Sequence, residues 1–453
     1  MAKGKHERRP GAKPVKPAKS AVPQHAHPTR KTVQHKSPVR LVLFLAALLG
    51  VLALIYGVRS CNRNTGTAVD APAPAATATP APTAEPTPAP TPQPTPKVET
   101  VRFSASGDNL IHKPIYEQAA RRAKESGSST KYDFAYAYAN MADFYKQFDV
   151  NWINQESLVN DVIPAATYPC FSTPGECAKA LYDIGMRVFS LSNNHSYDQG
   201  MNGLAATVDF WNSMPEDVYT TGLWKDEEDQ MNNIPVQEIN GIKIAYLAYT
   251  EHTNGITIGE DKDPAARVIY TSDADTIHAQ IAAARKIADV VVVGAHWGVE
   301  YSHEANEAQK DLAQRMADWG ADLIIGTHPH VLQDAEWLTA ADGRQVFVAY
   351  SLGNFISTQN RTPRVVGGIL TVDMTKITDV DGSIAIRLNN PKIHPVITHY
   401  DAGRSNVRTY LYRDYTPELA ASHGMNQYDS SFSYDALRKI AENAVSEEFL
   451  DFN

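Results

Sequence analysis

Cysteine is nearly absent, with three residues in 453, at positions 61, 170 and 177. So few thiols exclude a disulfide-dense scaffold and a thiolate-rich structural zinc site. Acidic residues are missing from the start of the chain: between Lys3 and Arg40 eleven Lys and Arg are joined by Glu7 alone, with almost no apolar side chains. Nothing there can build a core, so residues 1–40 read as a disordered basic tail. Charge of either sign is then missing from Leu41 to Val58, "LVLFLAALLGVLALIYGV". As a helix that run spans roughly 27 Å, enough to cross a bilayer.

The basic flank predicts an inside N-terminus and an exported remainder. A cleaved signal peptide is the rival reading, but the run exceeds a usual hydrophobic region, and Arg59 stands where small residues would precede cleavage. The expectation is therefore an uncleaved anchor over 41–58 and a single-pass protein of the cell membrane, its C-terminal domain extracellular. "VRSC" lacks the small residues of a lipoprotein signal, which leaves Cys61 incidental. Residues 59–97, rich in Pro, Ala and Thr, read as an extended spacer.

Basic residues are scarce beyond that point. From residue 66 onward 29 Lys and Arg face 50 Asp and Glu, a net of −21, which excludes a non-specific binder of nucleic acid. Cys170 and Cys177 lie in the exported part, where a disulfide closing one short loop is permitted and two buried thiols are the alternative.

No internal repeat is visible. Instead, apolar runs at 101–107, 187–192, 243–250, 289–296, 321–327 and 345–353 alternate with helical patterns at 175–184, 201–213, 273–287 and 304–319. That alternation predicts an α/β domain over 98–400 with much parallel sheet. Residues 367–374 and 382–400 have hairpin spacing and read as an antiparallel addition, and 401–453 as a helical extension. Phe134, Tyr138, Met141 and Tyr145 recur at helical spacing and predict a core-packing face. "KDEEDQ" at 225–230 reads as a solvated loop. His252, His278, His303, His394 and His399 have no partner that the sequence identifies, and His423 is expected at the surface.

In open α/β sheets, sites form beyond the carboxyl ends of the strands. Here those ends are consistently polar: Asp108 and His112 in "GDNLIH", Asn154 and Glu156 in "NQES", Asn193, Asn194, His195 and Asp198 in "NNHSYDQG", His296 and Glu300 in "HWGVEY", and His328 and His330 in "ADLIIGTHPHVLQ". On extended backbone, residues two apart point the same way, so His328 and His330 can aim at one point. Each motif alone has an ordinary explanation in a cap, a turn or a core histidine. Together the mixed Asp/Glu, Asn and His donors suit divalent Mn, Fe or Zn.

"GDNLIH", "NQES", "SLSNNHSYDQG", "GAHWGVEY", "ADLIIGTHPHVLQ" and "VAYSLGNFI", in this order over roughly 100–375, resemble the CapA (PgsA) family of poly-γ-glutamate and capsule synthesis proteins. The resemblance implies kinship with calcineurin-type metallophosphoesterases: a metallophosphoesterase-like αββα sandwich of two mixed sheets flanked by helices. It further implies metal ligation by Asp108, Glu156, Asn194, His296, His328 and His330, with Glu156 shared between two ions. His195 would serve as the acid beside the leaving group, oriented by Asp198. Leu110 stands where the phosphoesterase pattern usually has His, so His112 would have to reach the first metal.

The expected role is in synthesis or export of an anionic polymer such as polyglutamate, with the membrane and synthase or export proteins as partners. Metal-dependent hydrolysis of a phosphoester or amide is a separate expectation, and a wall-polymer binding module with a structural metal is a third. Lys113, Arg361 and Arg364 are the basic residues near the motifs that an anionic substrate would use.

Overall fold

The computed structural model describes residues 95–453 except 260, 261 and 263. The basic tail, the apolar run at 41–58 and nearly all of the spacer lie outside the described residues. Among the described residues no helix is long and apolar enough to cross a membrane.

In chain order the strands are β1 (Lys97–Asn109), β2 (Val150–Asn154), β3 (Val159–Asn160), β4 (Thr173–Pro174), β5 (Val188–Ser190), β6 (Tyr219–Thr221), β7 (Val236–Ile239), β8 (Ile242–Thr250), β9 (Val290–His296), β10 (Leu323–Thr327), β11 (Leu332–Thr339), β12 (Gln345–Leu352), β13 (Asn354–Ile356), β14 (Val366–Thr378), β15 (Ile384–Asp401) and β16 (Ser405–Leu411). The helices of eight residues or more are α1 (Lys113–Ser126), α2 (Glu176–Asp183), α3 (Gly200–Asn212), α4 (Ala274–Ile287), α5 (Glu307–Trp319) and α6 (Tyr434–Ala444).

The larger sheet runs β16-β15-β14-β1-β2-β5-β6, with β13 also pairing β1, and the smaller runs β11-β12-β10-β9-β8-β7. Both are mixed. In the larger, β1, β2, β5 and β6 are parallel while β14, β15 and β16 add antiparallel. In the smaller, β8, β9, β10 and β12 are parallel and β7 and β11 are antiparallel edges.

Side-chain alternation stacks the two sheets. Val101, Phe103 and Ala105 of β1 share one core with Ile244 and Tyr246 of β8, Val290 and Val292 of β9, and Leu323 and Ile325 of β10. The intervening residues of the smaller sheet, such as Leu247, Val291, Val293 and Ile324, face Ile277 and Ile281 of α4 and Leu312 and Met316 of α5. That is why the valine run of β9 is apolar at every position: both of its faces are covered. Helix α5 starts on a capping box, Asn306 accepting from the Gln309 backbone N–H while the Gln309 side chain accepts from Asn306 N–H.

Several expectations change. The aromatic face at 134–148 is carried on three short turns, Ala135–Tyr138, Ala139–Met141 and Ala142–Tyr145, with Phe134, Tyr138, Met141 and Tyr145 all buried as expected. Residues 401–453 are more than a helical extension, since β16 pairs with β15 and Ile393 bridges to Leu450. "KDEEDQ" is solvated, but part of it forms a short helix, Glu227–Asn232, capped by Asp226. Cys170 and Cys177 are not bonded to each other; the buried Cys177 thiol sits 3.2 Å from the Tyr138 hydroxyl. His423 is buried rather than exposed, its Nε2 lying 3.0 Å from the Thr398 carbonyl oxygen.

Candidate metal centre

Register brings the polar strand ends together. Asp108 stands opposite Asn154, and Asn154 opposite Ser190, at the carboxyl ends of β1, β2 and β5. In the other sheet Thr250, His296 and Thr327 align across β8, β9 and β10. Stacking the sheets therefore places carboxylates and amides from one against imidazoles from the other.

His328 and His330 reach the site by a different route from the one the strand pattern suggests. Strand β10 stops at Thr327, and both histidines have left-handed backbone, φ 96° and 59°. Non-glycine residues seldom hold this conformation. The turn is pinned from outside, because Tyr301 N–H donates to the Pro329 carbonyl oxygen at 2.7 Å. Both rings nevertheless converge on the strand ends, as expected from the sequence.

Two groups of candidate ligands result, Glu156 with His296 and His328, and Asp108 with Glu156 and His330, and within each the donor atoms all lie within 4.8 Å of one another. Glu156 belongs to both. His330 Nδ1 is 3.0 Å from Asp108 Oδ2, and its Nε2 is 3.6 Å from Glu156 Oε1. His296 Nε2 lies 3.2 Å from His328 Nδ1, 3.0 Å from Asn194 Oδ1 and 3.9 Å from Glu156 Oε1. Asn154 Nδ2 donates to Asp108 Oδ1 at 2.8 Å. The six ligands expected from the sequence thus stand together.

Electrostatics sets this cluster apart from an ordinary polar core. Glu156 is fully buried, and neither carboxylate oxygen has a hydrogen-bond partner. Burial, with Asp108 alongside, pushes its carboxyl well above the usual range. Burial also holds His328 down to about 2, assisted by His330, and pushes His296 well below its ordinary value, with His328 next in effect. Burial opposes charge on His330 too, but the Glu156 and Asp108 carboxylates outweigh it and raise that imidazole to about 9. An orphaned buried carboxylate is costly, His296 and His328 are held in the neutral state that metal ligation uses, and His330 would release its proton to an arriving cation. The donor set fits a divalent cation.

His195 sits at the wall of this cluster. Its Nδ1 is 2.7 Å from Asp198 Oδ2, which also accepts from Phe171 N–H at 2.6 Å. The Phe171 ring packs edge-on against the imidazole at 4.7 Å between centroids. A cleft of about 430 Å³ opens here, lined by Phe171, His195, Asn254, Glu300, Tyr301 and His330 among others. His112 lines the same cleft but belongs to neither ligand group; its Nδ1 accepts from Thr358 N–H at 3.3 Å.

A second layer of hydrogen bonds holds the loops. Tyr138 donates to Asn109 Oδ1 at 2.9 Å, and Asn109 Nδ2 to Gln155 Oε1 at 2.7 Å. Asn193 Nδ2 donates to the Gln155 carbonyl oxygen at 2.9 Å, while its Oδ1 accepts from His195 N–H at 3.0 Å. Asn109 and Gln155 are sequence neighbours of Asp108 and Glu156, so the network ties the ligand-bearing segments to one another and to His195. Asn254, Tyr301 and the Asn109–Gln155 bond were not foreseen, and neither was His252, whose ring packs edge-on against His328 at 5.1 Å. Only the adjacency of Asn109 and Gln155 to carboxylates hinted at them.

The fold and site define a two-sheet α/β protein with a buried carboxylate–imidazole centre. The family described as "Bacterial capsule synthesis protein PGA_cap" matches residues 102–359, more than half of the chain, and the chain belongs to it. The chain is 35% identical over 190 residues to the PGA biosynthesis protein CapA of Bacillus subtilis (strain 168), covering 42% of this chain and 47% of that protein. It is 33% identical over 195 residues to the capsule biosynthesis protein CapA of Bacillus anthracis, covering 42% and 45%. The matched stretch therefore spans about half the length of these relatives. Among solved structures, the NAD nucleotidase (NadN) of Haemophilus influenzae superposes with a TM-score of 0.38 at 14% identity, covering 79% of this chain and 58% of that one, a likeness too slight to carry an argument.

Proposed function

We propose that this chain is a membrane-anchored, extracytoplasmic component of capsule synthesis or export, acting on an anionic polymer of the poly-γ-glutamate kind through a divalent metal centre. The family match and the names of the relatives support the biological setting. The apolar run at 41–58 supports the anchor, with the basic tail inside and the acidic domain outside.

One observation carries the metal reading: Glu156 is fully buried, its oxygens unpartnered, between two pairs of candidate ligands. Asp108, Glu156, Asn194, His296, His328 and His330 would hold one or two ions of the Mn, Fe or Zn class, in a site resembling that of the metallophosphoesterases. A divalent ion there supplies Lewis acidity toward a phosphoryl or carbonyl oxygen.

The chain's own residues supply the rest. Asp198 fixes the His195 ring through Nδ1, leaving Nε2 to deliver a proton to a leaving group in the cleft. Phe171 supports that pair, its ring packed edge-on against His195 and its N–H donating to Asp198. Such a site suits hydrolysis or transfer at a phosphoester or an amide.

The test is elemental analysis of the purified full-length chain after dialysis against trace metals, wild type beside His328→Ala plus His330→Ala. One or two ions per wild-type chain, lost in the double variant, is the expected result; a folded wild type without metal overturns the reading. His195→Ala separates roles, since it should keep the metal yet abolish surface polymer.

A further inference from the structure

The geometry points to Arg364, held over the ring of Tyr301, as the group by which the cleft recognises an oxyanion of its substrate, a carboxylate or a phosphate. The Arg364 guanidinium carbon lies 3.3 Å from the centroid of the Tyr301 ring, and Tyr301 lines the cleft with His195 and His330. Among the described residues the Arg364 side chain forms no hydrogen bond and no ion pair; only its backbone is engaged, N–H to the Arg361 carbonyl oxygen and carbonyl oxygen to Asn354 Nδ2.

The other arginines close to buried acids are spent. Arg285 donates to the carbonyl oxygens of Gly320 and Asp289 and to Asp322, and Arg344 donates to Asp342, Asp322 and the Ala321 and Ala317 carbonyls. Arg364 differs because its guanidinium is held over the Tyr301 ring and has no hydrogen bond or ion pair among the described residues. A planar fork of donors in that state matches the two oxygens of a carboxylate or phosphate.

Two anchors fix Arg364 relative to the ligands. The Asn354 amide donates to the Arg364 carbonyl oxygen at 2.8 Å and to the His330 carbonyl oxygen at 3.3 Å, so one side chain holds both segments. Tyr301, on which the guanidinium rests, is bound through its N–H to Pro329, between the two histidines. Its ring centroid is 6.0 Å from that of His330. Arg364 is thus rigidly placed one aromatic ring away from the candidate metal ligands. In a domain whose net charge from residue 66 is −21, and beside a cleft whose lining includes Glu300, an unpaired cation packed on the lining residue Tyr301 offsets repulsion of an anion.

This assignment rests on the metal reading above, and the experiment separates the two. Titration calorimetry on the metal-loaded full-length chain uses inorganic phosphate in one arm and L-glutamate in the other. Wild type, Arg364→Lys and Arg364→Gln are compared, with metal content and thermal midpoint measured on each. The expected result is that one probe binds wild type and loses at least about tenfold in affinity in Arg364→Gln at unchanged metal content, with Arg364→Lys intermediate. The arm that responds tells a phosphate from a carboxylate. Equal affinity in all three proteins, or binding of neither probe to metal-loaded wild type, overturns the role of Arg364 and leaves the metal centre standing. Absence of metal from wild type instead overturns the reading beneath it.

Discussion

The two ends of β10 treat buried carboxylates in opposite ways. Before the strand, Asp322 is buried and answered three times, by Arg285, by Arg344 and by Val291 N–H at 2.8 Å. Beyond the strand, Glu156 is equally buried but accepts no hydrogen bond, its nearest charge being His330 with Nε2 at 3.6 Å. Asp322, which leads into β10 of the smaller sheet, therefore staples structure, whereas Glu156, which follows β2 of the larger sheet, is left without a hydrogen bond where the two sheets meet. The two carboxylates differ in hydrogen bonding and not in burial.

Breaking the stapled end should have the largest effect. Asp322→Ala leaves two arginines without their shared anion and is expected to cost about 3–5 kcal/mol, read from denaturant unfolding, with metal content per folded chain unchanged. Loss of metal in that variant would show that the two ends are not independent.

A buried histidine outside both ends offers the next largest effect. Burial holds His423 down to about 4, helped by His399, while the Thr398 carbonyl oxygen and Asp401 pull the other way. Its folded value is below its unfolded one, so the unfolded chain binds the proton more readily. The contribution is full above pH 6.5 and drains away as pH falls toward 4, by up to about 3 kcal/mol. His423→Gln should flatten the fall of melting temperature over that window; an unchanged slope would remove His423 from the acid response.

At the available end the sign reverses. Glu156→Gln should stabilise chelator-treated protein by about 1–3 kcal/mol, because relief of a buried carboxylate that accepts no hydrogen bond outweighs loss of its 3.6 Å contact with His330, and should abolish metal retention. A destabilised Glu156→Gln would mean that the carboxylate is stapled after all. The smallest effect belongs to the second layer, where Tyr138→Phe removes one neutral hydrogen bond to Asn109, costing about 1 kcal/mol and loosening metal affinity a few-fold by competition with a chromogenic chelator.

Much of the site was legible because strands that are apolar on both faces stop where polar residues begin. Asp108, Glu156, His296 and the 328–330 pair stand at such stops, and the rule that sites gather at carboxyl ends joined them. The conformation of His328 and His330 was not legible, because left-handed φ depends on an anchor at Tyr301, nearly thirty residues upstream. Nor was the bond from Asn109 to Gln155, whose partners lie 46 residues apart. Strand β16 was missed because its short run "SNVRTYL" is recognisable as a strand only beside β15. His423 was misplaced for a related reason, since its cover comes from Tyr400 and Phe432 rather than from its own neighbours.

Asp108 and His330, whose side chains meet at 3.0 Å, are separated by 222 positions along the chain. A ribosome adding about 5–20 residues per second needs roughly ten to forty seconds to deliver the second after the first. During that interval the growing chain carries Asp108 and Glu156 without the imidazoles that complete them. Ribosomes stalled anywhere before His328 would therefore release products unable to form either ligand group, so neither group can assemble until synthesis has passed the turn at 328–330.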